Sequence, residues 1–136
     1  QSIKAFKGLQ NVSDAVKNGR LAEARFLRGF YHYELYKVYK MVLYIDETIT
    51  EFRVPNDKDI MPNIQADLQF AAQNLPLRQS EVGRITKGAA QAVLGITYLW
   101  QQKFAEAKTQ FDAVINSGVY RLNAKYGDNF DPAKSN

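Results

Sequence analysis

Apolar residues recur along this chain at helical spacing. Ile3, Phe6, Leu9, Val12 and Val16 fall three and four apart between Ser2 and Lys17, which predicts a first amphipathic helix. Asn18 and Gly19 then predict its end, because glycine accepts the left-handed conformation that follows a helix. A second helix is expected from Leu21 to about Tyr39, the most aromatic stretch of the protein. Phe26, Phe30 and Tyr33 share one of its faces and Tyr31, Leu35 and Val38 lie beside them. Apolar over so much of its circumference, this helix is expected to be largely surrounded by other elements.

From Met41 to Asp59 the helical period is lost. Val42 to Ile45 run into an acidic, β-branched segment, Asp46 to Val54, and then Pro55, Asn56 and Asp57. This reads as a long connection, and long loops in compact domains make it a candidate contact surface. A helix follows from about Pro62 to Asn74, with Ile64, Leu68, Ala71, Ala72 and Leu75 on one face. Pro62 suits its first turn and Pro76 stops it. Leu77 to Gly83 is a polar linker, and Thr86 is placed to cap the next helix. Gln101, Gln102 and Lys103 form a tight turn, Phe104, Ala107, Phe111, Val114 and Ile115 mark a further helix, and Gly118 closes it. Tyr120, Leu122, Tyr126 and Phe130 are expected in an irregular tail.

Within this order, Thr86 to Val119 has the pattern of a tetratricopeptide hairpin. Leu94, Gly95 and Tyr98 stand on one helix and Ala107 and Phe111 on the next, so that Gly95 leaves room where the facing helix passes closest. The unit fits the repeat length of about 34 residues. Any amphipathic hairpin carries small residues at its crossing, and that is the competing reading. Gly29, Leu68, Ala71 and Pro76 occupy the matching offsets of an earlier unit. The expectation is one helical unit over 1–136, with a first repeat, 20–76, interrupted by a loop at 41–61, and a second repeat, 86–119. The fold class is all-α: tetratricopeptide-like antiparallel helical hairpins in an α/α superhelix, with a long inserted loop and an irregular C-terminal tail.

Composition narrows the chemistry. With 136 residues, 46% hydrophobic and 24% charged, the chain can bury a core without staples. No run reaches the roughly 18 apolar residues of a membrane helix, and Gln1 begins without a basic-then-apolar leader. The absence of cysteine excludes disulfides and thiolate chemistry. The net charge of +4 is spread along helix faces, basic before Met41, acidic to Pro76 and basic again beyond, which does not favour nucleic acid. Arg25, Arg28 and His32 form a stripe that reads as an anion site or as the solvated side of its helix, the second being favoured. The aromatic stripe likewise reads as core before it reads as a sugar-stacking face.

One histidine excludes paired-histidine sites, and Ser13, Ser80 and Ser117 have no evident base. Asp46, Glu47, Glu51, Asp57 and Asp59 supply carboxylates of the kind glycoside hydrolysis uses, but in an acidic loop they read as solvated. Asp57-Lys58-Asp59 lacks the glycine and terminal glutamate of a calcium loop, and no glycine motif cradles a phosphate. No enzyme activity, cofactor or metal is expected.

Several phrases together resemble the SusD/RagB family of outer-membrane nutrient-binding lipoproteins. They are Glu23-Ala24-Arg25-Phe26-Leu27-Arg28-Gly29-Phe30-Tyr31; Asp67-Leu68 with Ala71, Leu75 and Pro76; Gly83-Arg84-Ile85-Thr86-Lys87 leading to Ala89-Ala90 and Leu94; and Phe104-Ala105-Glu106-Ala107. Val114-Ile115-Asn116-Ser117-Gly118-Val119-Tyr120-Arg121-Leu122 and Asn129-Phe130 complete the set. The resemblance implies a surface-exposed lipoprotein of the outer membrane that captures oligosaccharides or other nutrients over a SusC-like, TonB-dependent transporter. A lipid anchor would then lie outside this segment, and the chain is expected to be an internal piece. Lys40-Met41-Val42-Leu43-Tyr44 departs from the family's glycine-rich turn and Val-Pro pair. Two functions follow as expectations: nutrient capture, in which this segment is mainly scaffold and partner surface, or a tetratricopeptide scaffold that docks a peptide or protein. Tyr44, Phe52 and Trp100 are the candidate ligand contacts. Exposure of these rings would favour stacking on sugars, while Trp100 is expected to be mainly packing.

Overall fold

A computed structural model describes residues 2–8, 12–51, 53 and 55–131. Five α-helices follow one another: α1 (Ser2–Lys7), α2 (Asp14–Tyr39), α3 (Met61–Asn74), α4 (Lys87–Trp100) and α5 (Phe104–Asn116), then a 3-10 turn at Tyr126–Phe130. Among the described residues there is no strand. The fold is all-α: α2 packs on α3, α3 on α4, and α4 on α5, with α1 against α2.

Asn18 and Gly19 do not end a helix, contrary to the sequence reading. The helix starts at Ser13, whose hydroxyl accepts from the Val16 amide at 3.4 Å, and α2 then runs unbroken for 26 residues. A glycine within a helix costs about 1 kcal/mol against alanine. The Ser13 cap before it and the roughly five turns after it, with Leu21 and Ala22 buried, outweigh that cost. Leu9 falls outside the described residues.

The core lies between α2 and α3 and is closed by α4. Ala22, Phe26 and Tyr33 meet Ile64, Leu68, Ala71 and Leu75, with Ala90 and Leu94 beyond. Gly29 sets the spacing: a Cβ there would stand 3.1 Å from the Asp67 Cβ and 3.2 Å from the Ile64 carbonyl oxygen. In the second hairpin a Cβ at Gly95 would meet the Phe111 ring at 2.7 Å. Ala107 is fully buried beside this crossing, and the Tyr98 hydroxyl accepts from Gln69 at 2.8 Å. The α4–α5 turn is made by Gln102 at a φ of 59°.

The expectation that α2 is largely surrounded holds for one side only. Phe26 and Tyr33 are buried, whereas Leu27, Tyr31, Leu35 and Val38 are exposed along its opposite stripe. Apolar character and burial separate here because α3 and α4 cover only one face of the helix.

Thr86 caps α4 by accepting from the Ala89 amide, and its hydroxyl also bonds the Tyr120 phenol at 2.6 Å. The linker before it is fastened at both ends. The Pro76 carbonyl accepts from the Lys87 amide at 2.9 Å, and Arg84 holds both Glu23 oxygens at 2.7 Å.

Candidate functional site

The connection between α2 and α3 is pinned by a charge cluster. Arg25, Arg28 and His32 lie on one face of α2, and Gly29, between the first two of these and the last, lets α3 approach closely enough to present Asp67. Arg28 donates to both Asp67 oxygens at 2.6 and 2.7 Å and to Glu47 at 2.7 Å. Tyr44, brought back by the loop, donates its hydroxyl proton to the same carboxylate. Arg25 places Nε 3.3 Å from Asp67, too poorly aligned for a hydrogen bond, and lies over the Phe70 ring at 4.5 Å.

His32 completes the clamp. The Ile45 amide donates to its Nε2 at 3.3 Å, so Nδ1 carries the proton and donates to the Arg28 carbonyl at 2.8 Å. Its ring also packs on Tyr44, 4.7 Å between centroids. The basic stripe of α2 is therefore neither a free anion site nor the solvated side of the helix. Its charge turns inward because Asp67, only 1% exposed, needs a counter-ion.

The electrostatics fit a clamp. Burial opposes the charge on Arg28, yet its bonds to Asp67 and Glu47 outweigh this and hold the guanidinium protonated. Burial, then the bond to Asp67, pushes the Tyr44 phenol well above its ordinary value. Each group is committed to another, so the cluster offers neither a free base nor a nucleophile. Glu47 is thus tied down, whereas the sequence reading has it solvated. Asp46 is held below the usual carboxylate range chiefly by the Thr48 hydroxyl, and Asp59 accepts from the Met61 amide at 2.9 Å.

Lys40 resolves the departure noted after the aromatic helix. With φ 61° and ψ −74°, and with the Met41 amide bonded to the Tyr39 carbonyl at 2.7 Å, it forms a γ-turn that glycine would enter without strain. Beyond it the loop borders a half-open pocket of about 340 Å³, lined by Val42, Tyr44, Ile49, Pro55, Ile60 and Asn63 among others.

The three candidate rings have separate fates. Tyr44 is half-buried in the clamp. Phe52 lies outside the described residues. Trp100 is 44% exposed, not simply packed, and its ring is flanked by Lys40 at 4.3 Å and by the edge of Tyr33. Of the repeat positions, Leu68, Ala71, Leu94, Gly95 and Ala107 are buried, and Gly29 and Phe111 make the two close crossings. Tyr98 is half-buried, and Pro76 is exposed with its carbonyl bonded. Asp67 is the functional residue sequence reasoning missed. The signal was its position three residues after Ile64 and four before Ala71, inside the apolar stripe of α3, where an acid must find a partner. Among the described residues there is no cluster of three or more potential metal ligands, and no helix is long and apolar enough to cross a membrane.

Hairpins packed through small residues, with a loop pinned between the first pair of long helices, make an all-helical fold that matches SusD-like structures. No family model matches the chain. It is 29% identical to the SusD-like protein P2 of Formosa agariphila over 134 residues, 91% of this chain and 26% of that protein. It is 31% identical over 94 residues to a SusD-like protein of Bacteroides ovatus, 65% of this chain and 17% of that one. Among solved structures it is similar to a SusD-like carbohydrate binding protein from Bacteroides fragilis, with a TM-score of 0.79 at 27% identity over 94% of this chain and 27% of the other. Surface glycan-binding protein A from Bacteroides thetaiotaomicron, in complex with laminarihexaose, shares the fold with a TM-score of 0.84 at 22% identity, over 98% and 29% of the two chains. Both relatives and these solved structures are SusD-like or surface glycan-binding proteins. The chain spans about a quarter or less of the length of these relatives.

Proposed function

We propose that this chain is the helical part of a non-catalytic protein that captures glycans at the outer-membrane surface and passes them to a SusC-like, TonB-dependent transporter. The likeness to a carbohydrate-binding SusD-like structure carries the reading. In it the two hairpins act as repeats, 20–76 and 86–119, with 41–61 as the insertion, and form mainly a scaffold and partner surface. A lipid anchor outside this segment would hold the protein to the membrane. The pinned loop supplies the pocket beside Tyr44, and half-exposed Trp100 is an aromatic platform. The clamp supports a binding role, because its charged groups are used in holding the loop.

Calorimetry of the intact protein against a glycan panel tests this reading. Binding of at least one glycan without its cleavage is the expected result. Failure of every glycan, alongside tight binding of a peptide, overturns it in favour of a tetratricopeptide docking scaffold. The exposed stripe of Leu27, Tyr31, Leu35 and Val38 is the observation that keeps this second reading. Charge reversal beside that stripe should abolish co-purification with the transporter if the stripe is the partner surface.

A further inference from the structure

The C-terminal end of α2 meets the C-terminal end of α4 in a small group of rings and ammonium groups that the loop clamp does not use. Trp100 ends α4 with nearly half its surface open. Tyr33 presents its edge to it, 6.5 Å between centroids, and is itself buried, so the indole is backed by the core. The Lys40 ammonium lies 4.3 Å from the centre of the Trp100 ring and 5.8 Å from that of Tyr36.

The neighbouring charges are already engaged. Lys37 lies over Tyr33 and pairs with Glu34 at 2.6 Å. Asp59 is bonded by the Tyr36 hydroxyl and the Met61 amide. Lys40 pairs with no carboxylate among the described residues, and its ammonium lies against the two rings. It also occupies the positive-φ γ-turn, a conformation rare and strained for a residue with a side chain. Strain of this kind persists where the surroundings enforce it, and it accompanies binding sites. Here it fixes where the lysine stem leaves the backbone, next to the open indole.

We propose that Trp100 and Lys40 form a subsite for an acidic sugar residue of an oligosaccharide, a pyranose carrying a carboxylate or a sulfate. This deepens the glycan-capture reading and rests on it. The C–H face of the sugar stacks on the indole, as neutral rings do on aromatic platforms. The ammonium slides from the ring face to the ring edge and pairs with the anionic substituent. A neutral sugar must displace the ammonium from its cation–π contact with nothing in return, whereas an acidic one replaces that contact with an ion pair. The site therefore discriminates by charge, although the indole alone would accept either.

Trp100 is the single tryptophan of the chain, so its emission reports this site directly. The 136-residue chain is titrated by fluorescence with size-matched neutral, uronate-bearing and sulfated oligosaccharides. An acidic ligand is expected to bind more tightly than the neutral one by up to about fivefold, the upper end of a solvent-exposed ion pair. This advantage is expected to vanish in Lys40→Gly and to persist in Lys40→Arg. Glycine relieves the strained turn, so Lys40→Gly remains at least as stable to urea as the parent, and loss of preference cannot be a folding defect. A preference for uronate alone or sulfate alone supports the subsite and names the anion. Equal binding of all three sugars, or an acid preference that survives in Lys40→Gly, overturns it while glycan capture stands. Silence of Trp100 with every sugar also overturns it, and the glycan panel on the intact protein then decides separately whether capture itself fails.

Discussion

Replacing Asp67 by asparagine keeps the shape of the clamp and removes its charge. The carboxylate accepts twice from Arg28 and once from Tyr44, and it faces Arg25 at 3.3 Å. An asparagine has one acceptor oxygen, so its amide nitrogen is set against a guanidinium donor, and two arginines share a region with one anion fewer. Removing one partner of a buried ion pair costs about 3–5 kcal/mol. Arg28 keeps Glu47, and the arginine side chains are 12% and 26% exposed, which places the expected loss near the lower figure, about 3 kcal/mol. With a urea dependence of about 1–3 kcal/mol per molar, the unfolding midpoint should fall by about 1–3 M. Far-ultraviolet circular dichroism gives the midpoint. Limited proteolysis gives a second reading, since release of Tyr44 and Glu47 should open the segment 41–60 to cleavage. A midpoint within about 0.3 M of the parent, with the segment cut at the parental rate, would refute the assignment of the cluster as the clamp.

Gly95→Ala tests the hairpin crossing through its sign: helix propensity favours alanine by up to about 1 kcal/mol, whereas the clash with Phe111 costs about 1–3 kcal/mol. Calorimetry should show a lower Tm, partly restored by adding Phe111→Leu; a raised Tm would show that the ring swings away freely. The raised phenol value of Tyr44 makes stability fall with alkali. Below about pH 10 folded and unfolded chains both hold the proton and the contribution is complete; above it the unfolded chain releases its proton first, so stability declines as pH rises. Urea midpoints measured across this range should decline less steeply in Tyr44→Phe, and Tyr33 and Tyr36, shifted the same way, should leave a residual slope. Gly88→Ala should expel the Tyr120 ring, which a Cβ would approach to 2.3 Å. Because that ring is 43% exposed, the global midpoint should move little while proteolysis after Gly118 accelerates; an unchanged cleavage rate would show that Tyr120 does not hold the tail.

Helices α3, α4 and α5 were legible in the chain because their apolar period, the proline at the start of α3 and the hydroxyl cap of α4 are local signals. Gly95 opposite Phe111 was legible for the same reason, since a hairpin fixes which turns face each other. The start of α2 was misread because Gly19 was weighed as a stop without the cap at Ser13 and the buried turn that follows. The clamp was not legible as a whole. Arg28 and Asp67 are 39 residues apart, and a basic stripe on a helix looks the same whether it meets water or a carboxylate on another element. The contact of Lys40 with Trp100 joins two helices that are not consecutive, so no spacing in the chain encodes it.

The doubly fastened linker between α3 and α4 has an engineering consequence. The Pro76–Lys87 bond and the Arg84–Glu23 pair carry the geometry between the two hairpins, so the residues between them are released from that duty. Val82 is 86% exposed and Gly83 has a φ of 88°, a loop tip with no packing to lose. Lengthening such a tip is cheap, about 0.6 kcal/mol for each doubling of the loop. A fluorescent or affinity module inserted after Val82 would hang from a closed staple, leaving the helices, the clamp and the open indole where they are.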